Sequence, residues 1–275
     1  MNENKSFEAF GIRHSKSNYD TYVTQKERGD KKFNPADQVY PDLSKEGIKL
    51  AKEKAIEFFD NLNPETDKLF FISSNEARAI ATADIYRQEA IKQGFEIMKP
   101  GKTNSKISDK ETNGYVRTSR ALSLNTKDYA LHSIFVGELP EEIQKIIADE
   151  LPDDVKGKWL KAREIINNAP AEIKAQGWGE LFYKYSEEIK EIFPGIKSSE
   201  DLEKQFNNIL KLIQWGKNKI EESGIAGDVK VLGFGHENYV ASILDKRLGD
   251  HKIANCEAIS INIDNQGEFE LKKTN

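Results

Sequence analysis

Three short apolar runs constrain this chain more than any other feature, because each ends abruptly on polar or charged residues. They are SFEAFGIRH (Ser6 to His14), KLFFISS (Lys68 to Ser74) and VKVLGFGH (Val229 to His236). All three are too short for globular helices and have the density of buried strands. Two of them lead into helical periodicity. After Lys68–Ser74, Asn75 is placed to cap a helix with Ala77, Ile80, Ala81 and Ile85 inward. After Val229–His236, Val240, Ile243 and Leu244 recur at helical spacing. Ser44 is likewise expected to cap a helix carrying Ile48, Ala51, Ala55, Phe58 or Phe59, and Leu62. Strand–helix alternation at both ends of the chain predicts an α/β fold. Its central sheet is mostly parallel, with helices on both faces.

The remaining segments fit around that frame. Ser15 to Pro41 is polar and aperiodic and reads as a long loop, a length usually tied to function or disorder. Phe95 to Met98 reads as a short third strand. From Gly101 to about Glu200 the character changes, with a loop-like start and charged amphipathic helices from Glu141 to Phe193. This predicts a helical cap inserted at about 101–200 in a single domain covering 1–275. Leu202, Phe206, Ile209, Ile213 and Ile220 mark a long amphipathic helix. AISINI and FELK, joined by Asp264-Asn265-Gln266-Gly267, read as a closing antiparallel pair.

Composition excludes several classes. The 275 residues are 37% hydrophobic and 32% charged, with 14 Phe, 9 Tyr and 3 Trp, too many core formers for a disordered chain. No run approaches the roughly 20 apolar residues of a membrane helix. The opening MNENKSFEAF lacks the pattern of a secretory signal. One cysteine, Cys256, excludes an internal disulfide and a cysteine-based zinc cage, and it reads as a small buried hydrophobe. A cytoplasmic compartment is expected. The net charge of −5 disfavours a nucleic-acid partner but leaves room for a small anionic substrate in a locally positive pocket. Only 8 of the 41 basic residues are Arg. Their planar forks suit phosphate, so their positions carry information.

Two of them stand beside the strand ends. The first run ends in Arg13-His14, the second in Ser73-Ser74 with Arg78 in the next helical turn, and the third in His236-Glu237. Ligands of open α/β sheets bind outside the carboxyl ends of strands, so parallel neighbours would bring two Arg and two His to one crevice. That set fits phosphoryl transfer. Guanidinium forks hold a phosphomonoester dianion, and a neutral imidazole is a competent nucleophile toward phosphorus. The cluster supplies positioning and charge without a metal or other cofactor. A carboxylic acid must still protonate the leaving oxygen.

Four blocks, in order, resemble the histidine phosphatase (phosphoglycerate mutase-like) superfamily, nearer its first branch. Arg13-His14-Ser15-Lys16-Ser17 resembles an Arg-His-Gly-x-Ser motif, and Asp42-Leu43-Ser44-Lys45-Glu46-Gly47 a Leu-Ser/Thr-x-x-Gly helix start. Ser73 to Arg78 with Thr82-Ala83 is similar to a Ser-x-x-x-Arg-x-x-x-Thr-Ala segment, and Gly235-His236-Glu237 to the second-histidine motif. The blocks span about residues 6–98 and 229–263. The resemblance implies a metal-independent phosphatase with His14 as nucleophile, forming a phosphohistidine. Arg13, Arg78 and His236 would hold the phosphoryl group, with Ser17 a further contact. Ser15 stands where the family has glycine. Asn18-Tyr19-Asp20 replaces the Trp-Asn of glycolytic mutases, and their Phe-Thr-Gly-Trp segment is missing, which favours a phosphatase over a mutase. Glu111 is the expected acid, with Asp109, Glu138 and Glu237 as alternatives. A non-catalytic phosphate or phosphopeptide binder on the same fold is the competing reading.

His132 and His251 read as surface or packing residues. Trp159, Trp178 and Trp215 read as packing residues of the cap and the long helix.

Overall fold

The computed structural model describes residues 7–17, 43–98, 116–119, 122, 133–149, 151–194, 196–225, 227–237, 244, 247–250, 252–264, 266 and 268–274. Among these, the chain divides into two compact units, one of residues 1–123, 207–236 and 253–275, the other of 124–206 and 237–252.

The first unit holds the sheet. Its strands are β1 (Phe7–Arg13), β2 (Asp67–Ser73), β3 (Glu96–Ile97), β4 (Val116–Thr118), β5 (Asp228–Gly235), β6 (Ala258–Ile263) and β7 (Phe269–Thr274). Their order is β3-β2-β5-β1-β6-β7, with β4 also paired to β2. The β1, β2, β3, β4 and β5 pairings are parallel, whereas β6 runs antiparallel to both β1 and β7. The fold is therefore α/β with a mostly parallel sheet, flanked by helices. The third strand is shorter than its apolar run, and the closing pair forms as expected. Asp264 shapes the turn between its strands, its Oδ1 accepting from the amides of Gln266 and Glu268. Asn265 and Gly267 lie outside the described residues.

Two helices pack beside this sheet: α1 (Lys45–Phe59) and α2 (Ala77–Lys92). Ser44 caps α1, its side chain accepting from the Gly47 amide at 2.9 Å. Ala51, Ala55 and Phe59 form the buried face of α1. Phe10, Ile12, Phe59, Leu69, Phe71, Tyr86, Leu232 and Phe234 meet in one core cluster. Tyr86 sets its ring edge-on to Phe234 at 5.1 Å, and Phe71 stacks on Phe234 at 6.1 Å. Burying each such side chain stabilises the fold by about 1.5–3 kcal/mol.

Two local expectations are corrected. Glu76, not Asn75, occupies the cap position of α2, and Ala77 is exposed. Ile80, Ala81 and Ile85 are buried as expected, and the buried face of α2 also includes Arg78, Ala79, Thr82, Ala83 and Tyr86. Hydropathy alone would not place the charged Arg78 there.

The second unit is helical along α3 (Glu141–Asp149), α4 (Asp153–Asn167), α5 (Ala171–Lys174) and α6 (Trp178–Ile192). Trp159 is fully buried and donates its indole N–H to Ser133 Oγ at 3.1 Å. Trp178 stacks on Phe182 with ring centroids 5.1 Å apart. Arg163 is buried and donates to the Ile134 and Val136 carbonyls at 2.7 and 2.5 Å. Burial lowers its pKa to about 10. The long helix α7 (Ser199–Ser223) buries Leu202, Phe206, Ile209 and Leu210. Trp215 on this helix is 63% exposed, which corrects its reading as a packing residue. Leu244 is buried, while Val240 and Ile243 lie outside the described residues. Among the described residues no helix is long and apolar enough to cross a membrane.

One glycine fixes the backbone next to the first strand. A Cβ at Gly47 would stand 2.1 Å from the Lys16 carbonyl oxygen, too close for any side chain. The start of α1 thus lies directly on the segment that leaves β1, where Ser44 N–H also donates to Lys16 O. Gly47→Ala is expected to lower the melting temperature by the equivalent of about 1–3 kcal/mol. A thermal melt indistinguishable from wild type would show that this close approach is not maintained.

Candidate active site

The parallel register brings the three strand ends together. Arg13 on β1 is level with Gly235 on β5, and Ser73 on β2 is level with Phe234. Backbone bonds continue the ladder past the strands, with His14 N–H donating to Gly235 O at 2.9 Å and Ser74 N–H to Phe234 O at 2.8 Å. His14, Ser74 and His236 therefore leave three adjacent strands at one edge of the sheet.

Arg78, in the first turn of α2, joins these groups. Its Nε donates to His14 Nε2 at 3.0 Å, and its terminal nitrogen NH2 lies 3.3 Å from His236 Nδ1. The imidazole rings are edge-to-face with centroids 5.0 Å apart. Ser74 Oγ is 3.2 Å from His236 Nε2. The contacts assign the proton positions. His14 Nδ1 lies 2.7 Å from Ser15 O, a pure acceptor, so Nδ1 carries the hydrogen and Nε2 presents a lone pair to Arg78. By the same reasoning His236 accepts at Nδ1 and donates from Nε2 to Ser74.

Burial and the Arg78 and Arg13 charges lower the His14 pKa to about 3, although its Ser15 contact acts in the opposite direction. His14 is therefore a neutral imidazole throughout the physiological range.

Further contacts immobilise the loop after β1. Ser15 is fully buried; its amide donates to Thr82 Oγ1 at 3.0 Å, and its hydroxyl donates to Gly47 O at 2.7 Å. Thr82 in turn donates to the Arg78 carbonyl at 2.8 Å. The backbone at Ser15 does not enter the left-handed region, so a side chain fits there without strain. Asn255 closes the opposite side, donating to the His14 carbonyl at 2.9 Å.

The sequence-predicted residues thus separate into groups. His14, Arg78 and His236 form one cluster. Arg13 directs NH1 to the Ile253 carbonyl at 2.5 Å and acts on His14 through its charge. Ser17 forms a backbone bridge with Leu43. Glu138 and Glu237 belong to the second unit. Glu237 points its carboxylate at the start of α6, where its Oε2 would be 2.9 Å from a Cβ on Gly179. Glu111 and Asp109 lie outside the described residues, as do His132 and His251. Cys256 is buried as expected, and burial raises its thiol pKa to about 11.

Sequence reasoning did not assign Ser74, Thr82 or Asn255 to the site. Ser74 and Thr82 lay inside a recognised motif, but nothing local signalled Asn255. Among the described residues, no group of three or more His, Cys, Asp or Glu is arranged to hold a metal ion.

The geometry can receive a tetrahedral anion. An oxyanion entering the cluster can take the Arg78 N–H groups now directed at the two imidazoles and expose the His14 Nε2 lone pair.

The depressed pKa also has a stability consequence. Unfolded His14 takes up a proton as pH falls below 6.5, while the folded form stays neutral down to about 3. Lowering the pH from 7 to 5 therefore destabilises wild type through this residue. His14→Gln should gain in melting temperature relative to wild type over that interval. A constant difference from pH 7 to 5 would contradict the assigned state.

Comparison with known proteins adds the following. No protein-family model matches the chain, and no curated protein matches it. Among solved structures it is similar to phosphoglycerate mutase from Bacillus anthracis str. Sterne, at 13% identity over 98% of this chain and 93% of that one, with a TM-score of 0.48. It is also similar to a phosphoserine phosphatase variant from Entamoeba histolytica, in complex with phosphoserine. There the identity is 12% over 96% and 94% of the chains, with a TM-score of 0.41. For the phytase of Klebsiella sp ASR1 the values are 11%, 97% and 82%, with a TM-score of 0.39.

Proposed function

We propose that this chain is a phosphomonoester hydrolase that works through a phosphohistidine on His14 and needs no metal. The observation that carries the reading is the guanidinium of Arg78 set between two imidazoles, 3.0 Å from His14 Nε2 and 3.3 Å from His236 Nδ1. A buried cation flanked by neutral nitrogen bases is poised for a small dianion.

The steps follow from those positions. The phosphoryl oxygens of the substrate take the Arg78 donors, which withdraws Arg78 from His14 Nε2. The uncovered lone pair attacks phosphorus as the bond to the leaving oxygen breaks. His236 and Arg78 hold the equatorial oxygens, Arg13 adds positive charge, and Ser17 is a further contact. Water then attacks the phosphohistidine, the P–N bond breaks, and inorganic phosphate leaves with His14 restored. The absent mutase segments favour hydrolysis over transfer to a second substrate. The leaving oxygen needs a proton, for which the sequence offers Glu111, Asp109, Glu138 and Glu237.

A panel of phosphomonoesters with and without chelator tests the reading, together with acid-quench trapping of label on the protein. Turnover indifferent to chelator, and label lost in His14→Ala, are expected. Phosphate binding without turnover across the panel would leave a phosphate-binding module on the same fold. Turnover abolished by chelator would overturn the metal-free mechanism.

A further inference from the structure

Glu76 is a carboxylate that the sequence reading did not assign to the site. It lies on the turn between β2 and α2, between Ser74 and Arg78, both of which touch His236. Its backbone is fixed there. The amide donates to Ser74 Oγ at 3.3 Å, and the carbonyl accepts from Ala79 and Ile80 at 2.9 and 3.1 Å. It holds the cap position of α2, yet its side chain makes no capping hydrogen bond. Ser, Thr, Asp and Asn cap well because their oxygens reach the next amides, and Glu at this position does not. Instead the carboxylate turns to the cluster, with Oε2 4.0 Å from Arg78 NH1. The Arg78 side chain is 8% exposed and that of Glu76 is 33% exposed, so the Glu76 side chain reaches solvent while Arg78 is buried. That separation is at the limit of an ion pair, which makes a purely stabilising role a weak one.

We propose that Glu76 is the general acid and base of the hydrolysis; this rests on the function proposed above. As His14 Nε2 bonds to phosphorus and the bond to the leaving oxygen breaks, the Glu76 proton passes to that oxygen, and the alcohol departs. The resulting carboxylate takes a proton from the water that attacks the phosphohistidine. The P–N bond breaks, inorganic phosphate leaves, and Glu76 returns to its protonated form.

Dependence on the leaving group tests this. The full chain and its Glu76→Gln, Glu76→Asp and Glu111→Gln variants are assayed with p-nitrophenyl phosphate, whose leaving group needs no proton, and ethyl phosphate, whose leaving group does. Glu76→Gln is expected to lose about 100-fold or more in kcat/KM on ethyl phosphate and to stay within about threefold on p-nitrophenyl phosphate. Glu76→Asp should recover part of the ethyl phosphate activity, and circular dichroism should show an unchanged fold. Equal losses on both esters, or the selective loss appearing in Glu111→Gln instead, would overturn the role of Glu76. Failure of wild type to hydrolyse either ester would overturn the phosphatase reading on which it rests.

Discussion

A single guanidinium shared by two imidazoles organises the chemistry of this protein. Arg78 reaches His14 with one nitrogen and His236 with another, and it is almost fully buried while doing so. The two nitrogen bases accept its hydrogen bonds without themselves cancelling its charge. The fold is arranged to maintain that geometry. Register between β1, β5 and β2 fixes the two histidines, and Thr82 links the helix that carries Arg78 to the loop that carries His14. Ser15 and Gly47 then tie that loop to α1.

The same contact governs the resting state. The lone pair of His14 Nε2 is occupied by Arg78, so in the proposed reaction the nucleophile is covered until an anion claims the guanidinium. In that reaction one hydrogen bond couples phosphate binding to nucleophile exposure. The low pKa of His14 complements it, because a protonated imidazole would repel Arg78 and have no lone pair to offer.

Much of the site could be read from the sequence because strand endings are abrupt. Arg13-His14 and Gly235-His236 stop apolar runs, and parallel pairing places such endings side by side. The helix after β2 was harder. Asn75 has the better chemistry for a cap, but the helix begins after Glu76, whose side chain turns toward Arg78. Arg78 faces inward against hydropathy and Ala77 beside it is exposed, while Ile80, Ala81 and Ile85 are buried as the pattern predicts. Asn255 had no local signature. Its contact with the His14 carbonyl joins positions 241 residues apart, and only the completed sheet brings them together. Trp215 failed for the opposite reason: aromatic identity implies burial on average, yet this one projects into solvent.

The most direct measurement is a crystal structure with vanadate, a tetrahedral oxyanion that can expand its coordination. Vanadium bonded to His14 Nε2, its oxygens held by Arg78 and His236, and Arg78 Nε drawn away from His14 is the arrangement this account predicts. Vanadate bound elsewhere, with the Arg78–His14 hydrogen bond intact, would contradict it.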